Sequence, residues 1–181
     1  MLYADTDYNF GQGTIYSFLN FPDRVYPDSP QNGKTINNIS DWSSDAVAGE
    51  DIVDEVLEMK QASIDQNHYG PWVLKIPTNF ETKMDQDYSA QKGDNTIRDR
   101  VLNINNLEDV VVVDTLPDDN VVMCQLTSDV VRIVQGLSMQ NIQWENEGGF
   151  VNKFKVISIQ VPQLRSDQEG KCGIIHNYVA T

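Results

Sequence analysis

Apolar residues recur along this chain at helical spacing in its first half and at strand spacing in its second. Between Val47 and Asp65, the residues Ile52, Val53, Val56, Leu57, Met59 and Ile64 fall on one face of a helix. Glu50, Asp51, Asp54 and Glu55 load its early turns with negative charge, which suits the positive end of the helix dipole, and Ser44 or Asp45 stands where a cap belongs. The charged face reads as a solvated surface. Trp72 to Ile76 is a short apolar run bracketed by Pro71 and Pro77, which predicts a buried strand. Thr78-Asn79-Phe80-Glu81 has the spacing of a capping box and predicts a helix from about Asn79 to Tyr88. A further helix is expected over Thr96 to Asn103, capped by Asp94 or Asn95.

Strand patterns follow. Asp109 to Asp114 encloses four consecutive valines, Val110 to Val113, apolar on both sides and so expected at the centre of a sheet. Pro117-Asp118-Asp119-Asn120 reads as a turn. Val121 to Leu126 and Val130 to Val134 read as a hairpin around Thr127-Ser128-Asp129. Ile142 to Glu145 and Val151 to Val161 read as two more strands, joined across Glu147-Gly148-Gly149. Residues 1–40 lack helical pattern and are punctuated by Pro22, Pro27, Pro30 and Asn32-Gly33, an irregular lead-in anchored by Phe10, Ile15, Tyr16, Phe18, Leu19 and Phe21. The order of helix, strand, helices and then strands predicts an α+β fold with helices packed on a sheet.

Composition narrows the function more than the fold. At 181 residues, 40% hydrophobic and 22% charged, the chain is expected to be globular with a real core. Its net charge of −14 argues against holding nucleic acid through phosphates and against docking on an anionic membrane surface. Cys124 and Cys172 are too few and too far apart for a disulfide framework and read as reduced thiols. No stretch reaches the ~20 apolar residues of a membrane span. The N-terminus has no basic patch leading into an apolar run, so no signal peptide is expected.

The search for chemistry returns little. His68 and His176 stand outside any metal-ligand spacing, and no Gly-x-Ser-x-Gly elbow is present. Gly11-Gln12-Gly13 lacks the third glycine and the preceding strand of a phosphate loop. Asp109, Asp114, Asp118 and Asp119 flank a strand and leave a carboxylate pair for glycoside hydrolysis open, though they read first as strand ends and turn residues. No catalytic, cofactor-binding or metal-binding residues are expected.

Taken in order, several pieces resemble the second half of a tailed-phage major capsid protein, of the Hong Kong 97-type shell fold shared with encapsulins. They are Tyr69-Gly70-Pro71-Trp72 entering Val73 to Ile76, the short helices, the valine strand, Val161-Pro162-Gln163-Leu164-Arg165-Ser166-Asp167, and Gly170-Lys171-Cys172-Gly173-Ile174-Ile175-His176. Gly13 to Pro22 is similar to the Gly-Leu-Leu-Asn-x-Pro passage that precedes that half. The resemblance implies an axial-domain-like α+β core over 41–150 and a return strand and tail of peripheral-domain type over 151–181. It implies a structural subunit of an icosahedral bacteriophage capsid, in pentamers and hexamers around the genome, found in the virion and made in the host cytoplasm. Its partners would be copies of itself, with scaffolding or decoration proteins, and it implies no enzyme activity and no cofactor. The loop Ser89, Ala90, Gln91, Lys92, Gly93, Asp94 and Asn95 would line the capsomer axis. Such proteins carry an N-terminal arm, an extended loop and a spine helix ahead of the matched passage, where this chain has Met1 to Gln12. The expectation is that the chain alone does not close into shells. An encapsulin-like compartment shell and a small acidic hydrolase are the alternatives.

Overall fold

The computed structural model describes residues 8–10, 13–15, 19, 35–89, 95–167 and 170–179. In chain order the elements are β1 (Tyr8–Phe10), β2 (Gly13–Ile15), β3 (Thr35–Ile39), α1 (Gly49–Asp65), β4 (Trp72–Ile76), a 3-10 turn (Thr78–Phe80), α2 (Glu81–Met84), α3 (Ile97–Leu102), β5 (Leu107–Val112), β6 (Asn120–Gln125), β7 (Val131–Asn146), β8 (Val151–Leu164) and β9 (Ile174–Val179). The chain divides into two compact units, Met1–Val131 with Leu164–Thr181, and Arg132–Gln163.

The first unit is built on a five-stranded mixed sheet of order β3-β9-β6-β4-β5. β6 runs antiparallel to both β4 and β9, whereas β5 and β3 pair in parallel at the two edges. The pleat sends alternate side chains to opposite faces, and β6 is buried on both. Val121 and Met123 join the larger core with Leu74, Ile76 and Ile175, beneath Ile52, Val56 and Met59 of α1. Val122 and Cys124 join a smaller core with Ile174, Leu164, Val130 and Cys172 on the other face. Two buried or half-buried polar ties fix α1. The Trp72 indole N–H donates to Ser63 Oγ at 2.9 Å, and Glu55 accepts from Ser40 N–H at 2.9 Å, from the Ser40 hydroxyl at 2.7 Å and from the Trp42 indole.

The expected α+β class holds, and β4 has the expected bounds. Several local expectations are corrected. α1 begins at Gly49, and its first free N–H, at Ala48, is taken by the Asp51 carboxylate at 3.2 Å; Ser44 Oγ instead accepts from Ala46 N–H in the preceding turn. Thr78 does not cap a helix. A 3-10 turn starts there after Pro77, and the following helix stops at Met84 because the chain then turns into a bridge between Asp87 and Thr96. α3 is capped by Thr96, in a reciprocal box with Asp99, not by Asp94 or Asn95. The valine strand lies at the sheet edge, paired with β4 alone, and Val111 to Val113 are only half-buried.

The expected β6–β7 hairpin is absent. Both edges of β6 are already occupied by β4 and β9, so no edge remains for β7. Thr127-Ser128-Asp129 instead carries the chain out of the sheet, with Val130 and Val131 N–H both bonded to Thr127 O. β7 pairs with β8 across a turn at Glu147–Gly149, the join expected from the two glycines, and the two patches read at Val130 to Val134 and Ile142 to Glu145 form one strand. β3 and β9 were not anticipated. Of the lead-in anchors, Leu19 is buried; the side chains of the others, and the proline turns, lie outside the described residues.

Candidate functional site

The loop predicted to line a capsomer axis leaves and re-enters the body at a stem built from α2 and α3. After α2 the chain extends, Tyr88 N–H donates to Asn95 O at 2.9 Å, and Ile97 N–H donates to Gln86 O at 2.9 Å. The stem is closed by hydrogen bonds, so its ends meet whatever conformation the loop takes. Ala90 to Asp94, and with them Lys92 and Gly93, lie outside the described residues; Ser89 and Asn95 are the described ends.

The stem is locked to the body beneath it. Gly49, in the first turn of α1, sits so close that a Cβ there would stand 2.7 Å from Tyr88 O and 3.0 Å from the Ile97 side chain. The Lys83 side chain is buried and donates to Ser44 O at 3.2 Å. Arg98 bridges Asp85 at 2.9 Å and reaches Val110 O, and the Arg100 guanidinium lies over the Tyr88 ring at 5.7 Å. Three cations thus hold carbonyls, a carboxylate and a ring around the stem. Each has a structural partner.

Elsewhere, two of the four strand-flanking aspartates and both histidines have hydrogen-bond partners within the fold. Asp109 accepts from its neighbour's N–H, on Val110, at 2.8 Å, and Asp119 accepts from Asn79 Nδ2 at 3.0 Å. His68 Nδ1 lies 2.7 Å from Gln66 O, and His176 Nε2 lies 2.7 Å from Asn120 Oδ1. The Cys124 and Cys172 side chains are buried, and the Cys124 thiol donates to Val73 O at 3.7 Å. Among the described residues, no three His, Cys, Asp or Glu side chains are grouped to hold a metal, and no helix is long and apolar enough to cross a membrane.

The feature that sequence reasoning missed is the second unit. β7 and β8 form a two-stranded ribbon on which large apolar residues stand open, among them Ile133, Met139, Phe154 and Val156, all more than 60% exposed. The signal was present in the long apolar alternation of Val151 to Val161, but nothing in that pattern says that the strand has only one neighbour.

With this geometry in hand, the fold can be compared with known ones. A virus-like particle from Pyrococcus furiosus matches with a TM-score of 0.61 at 18% identity, over 80% of this chain and 56% of that one. A structure from Mycobacterium phage Che8 matches with a TM-score of 0.51 at 12% identity, over 86% of this chain and 55% of that one. The chain therefore spans little more than half the length of these structures. No curated protein matches it. At such identities the likeness is one of fold, and the fold is the α+β Hong Kong 97-type shell fold. A sequence family also matches residues 29–177, the greater part of the chain, and the protein accordingly belongs to the family of unknown function DUF6260.

Proposed function

We propose that this protein is a structural subunit of an icosahedral shell, corresponding to the second half of a tailed-phage major capsid protein. The observation that carries the reading is the shared fold with a virus-like particle over 80% of the chain. The first unit serves as the axial-type core. The β7–β8 ribbon serves as the peripheral-type return. The Ser89–Asn95 loop points toward the capsomer axis, where pentamers and hexamers close. The partners are copies of the chain itself, together with scaffolding or decoration proteins, and the assembled product is the virion.

A second reading, an encapsulin-like compartment shell, draws on the higher TM-score to a particle described as virus-like. What fills the particle separates the two, since a viral capsid holds its genome and a compartment holds protein cargo. Expression of the complete native reading frame followed by electron microscopy tests both. Closed particles or curved arrays with rings of subunits are expected, and a protein that stays monomeric in every preparation overturns the shell function.

A further inference from the structure

We propose that Asp109 and Arg98 form a guard that closes the free edge of β5 to strand addition by a second copy of this chain. The guard goes beyond the shell reading and does not rest on it. An edge strand presents a row of unpaired N–H and C=O groups, a template on which another strand can pair. β5 is such an edge, since among the described residues it pairs with β4 alone. Val110 to Val113 are four β-branched residues with no glycine or proline, a composition that adds strands readily. Val111 and Val112 are only half-buried, so the run is within reach of solvent.

Register shows which backbone groups point outward. Along a parallel ladder, alternate residues turn both backbone groups toward the neighbour, and the residues between them turn both away. Val113 N–H donates to Ile76 O at 2.9 Å, at the end of the β4–β5 pairing. Val111 therefore also faces β4, and Val110 and Val112 turn their N–H and C=O outward. Both outward groups of Val110 are taken. Asp109 Oδ1 accepts from Val110 N–H at 2.8 Å, and Arg98 Nη1 donates to Val110 O at 3.4 Å. One guard residue precedes Val110 on the strand itself, and the other reaches over from α3.

The chemistry of the two side chains suits this task. Hydrogen bonds to charged groups are stronger than neutral ones, so an added strand would exchange two charge-assisted bonds for two ordinary ones. The Arg98 guanidinium keeps its charge and presents its donors in a fixed fork. Its Nε is anchored on Asp85 at 2.9 Å, which holds Nη1 over the edge. Asp85 ends α2, so the ion pair that ties the loop stem also aims the guard. Glu108, Asp109 and Asp114 add exposed negative charge along the edge, and a second copy would bring its own against it.

Thioflavin T fluorescence and the infrared band of intermolecular β-sheet, followed on the full 181-residue chain under native conditions, test the guard. Arg98→Ala with Asp109→Ala should speed strand association over wild type by about tenfold or more, since a bond to a charged group is worth at least that factor. Asp109→Asn keeps an acceptor oxygen and should stay near wild type. Adding Val112→Pro to the double variant should suppress the gain, because proline has no N–H to give an added strand and is tolerated on an edge. Glu55→Ala removes bonds away from β5 and separates edge pairing from aggregation of unfolded chain; it should raise the signal far less. Circular dichroism should show the variants folded before incubation. Should the double variant not fold, Asp109→Ala alone carries the test, with a smaller gain of the same kind expected. An unguarded chain that associates no faster than wild type, Asp109→Asn that behaves like Asp109→Ala, a proline that fails to suppress the gain, or Glu55→Ala that associates as fast as the double variant overturns the proposal.

Discussion

Glu55 ties the segment leading into α1 to the helix itself. Its carboxylate accepts from the Ser40 backbone, the Ser40 hydroxyl and the indole of fully buried Trp42. Glu55→Ala removes three charge-assisted bonds and leaves the indole N–H without its acceptor, so a loss of about 2–4 kcal/mol is expected in denaturant unfolding. Glu55→Gln keeps one acceptor oxygen and should recover part of that loss. Gly49 offers a test by sign. Alanine is normally better than glycine in a helix by about 1 kcal/mol. Here the new methyl meets the Tyr88 carbonyl at 2.7 Å, and that carbonyl belongs to the loop stem. Gly49→Ala should therefore destabilise by about 1–3 kcal/mol, the usual cost of overpacking, and a stabilised variant would show that the stem is not seated on α1. At Asp129, a hydrogen bond from the Thr127 side chain holds the carboxyl below its ordinary pKa. The sign is that of a carboxylate favoured by folding: its contribution is present at neutral pH and lost as pH falls through the folded-state value. Thr127→Val should raise the Asp129 titration midpoint in a carboxyl NMR titration.

Strand positions in the sheet decide what a single charge does to the fold. Met123 sits in β6, between β4 and β9, and is 1% exposed. Met123→Asp places an unpaired carboxylate in the core at a cost of several kcal/mol, against a typical total of ~5–15, and should leave no cooperative unfolding transition. Val111 lies on the edge strand and is half-buried, so Val111→Asp should cost only about 1–2 kcal/mol and leave a folded protein by circular dichroism. The sequence pattern alone pointed the other way, because four valines look two-sided wherever they stand. What was legible were elements with local punctuation. Prolines bracket β4, and amphipathic spacing marks α1 to within two residues of its start. What was not legible depended on pairing across the chain. β9 lies beside β6 and then carries β3, residues far apart in sequence. Apolar Ile174 and Ile175 gave no local reason to expect a strand buried on both faces. The β6–β7 hairpin failed for the same cause, since occupancy of an edge belongs to the whole sheet. Of the loop, composition was legible and so were its ends, but the cap at Thr96 required knowing that the chain bends back through Asp87.

At the scale of the whole molecule, the proposed shell role puts the Ser89–Asn95 loop around a capsomer axis. Lys92 and Asp94 are the charged residues of that loop. Exposed ion pairs are worth about 0–1 kcal/mol each, so neighbouring loops converging on an axis would shape its opening more than hold the ring together. The stem makes this testable. Tyr88 N–H bonds Asn95 O, and the Asp87–Thr96 bridge backs it, so the two ends of the loop are already joined. Replacing Ala90 to Asp94 with two glycines shortens a closed loop without opening its base. Loop-closure entropy changes slowly with length, so monomer stability should move by less than about 1 kcal/mol. Particles from the native reading frame should still form, with a difference confined to the capsomer centre in a reconstruction. A reconstruction that places the Ser89–Asn95 loop at the outer rim of the capsomer would refute its placement, and with it the axial role of the first unit.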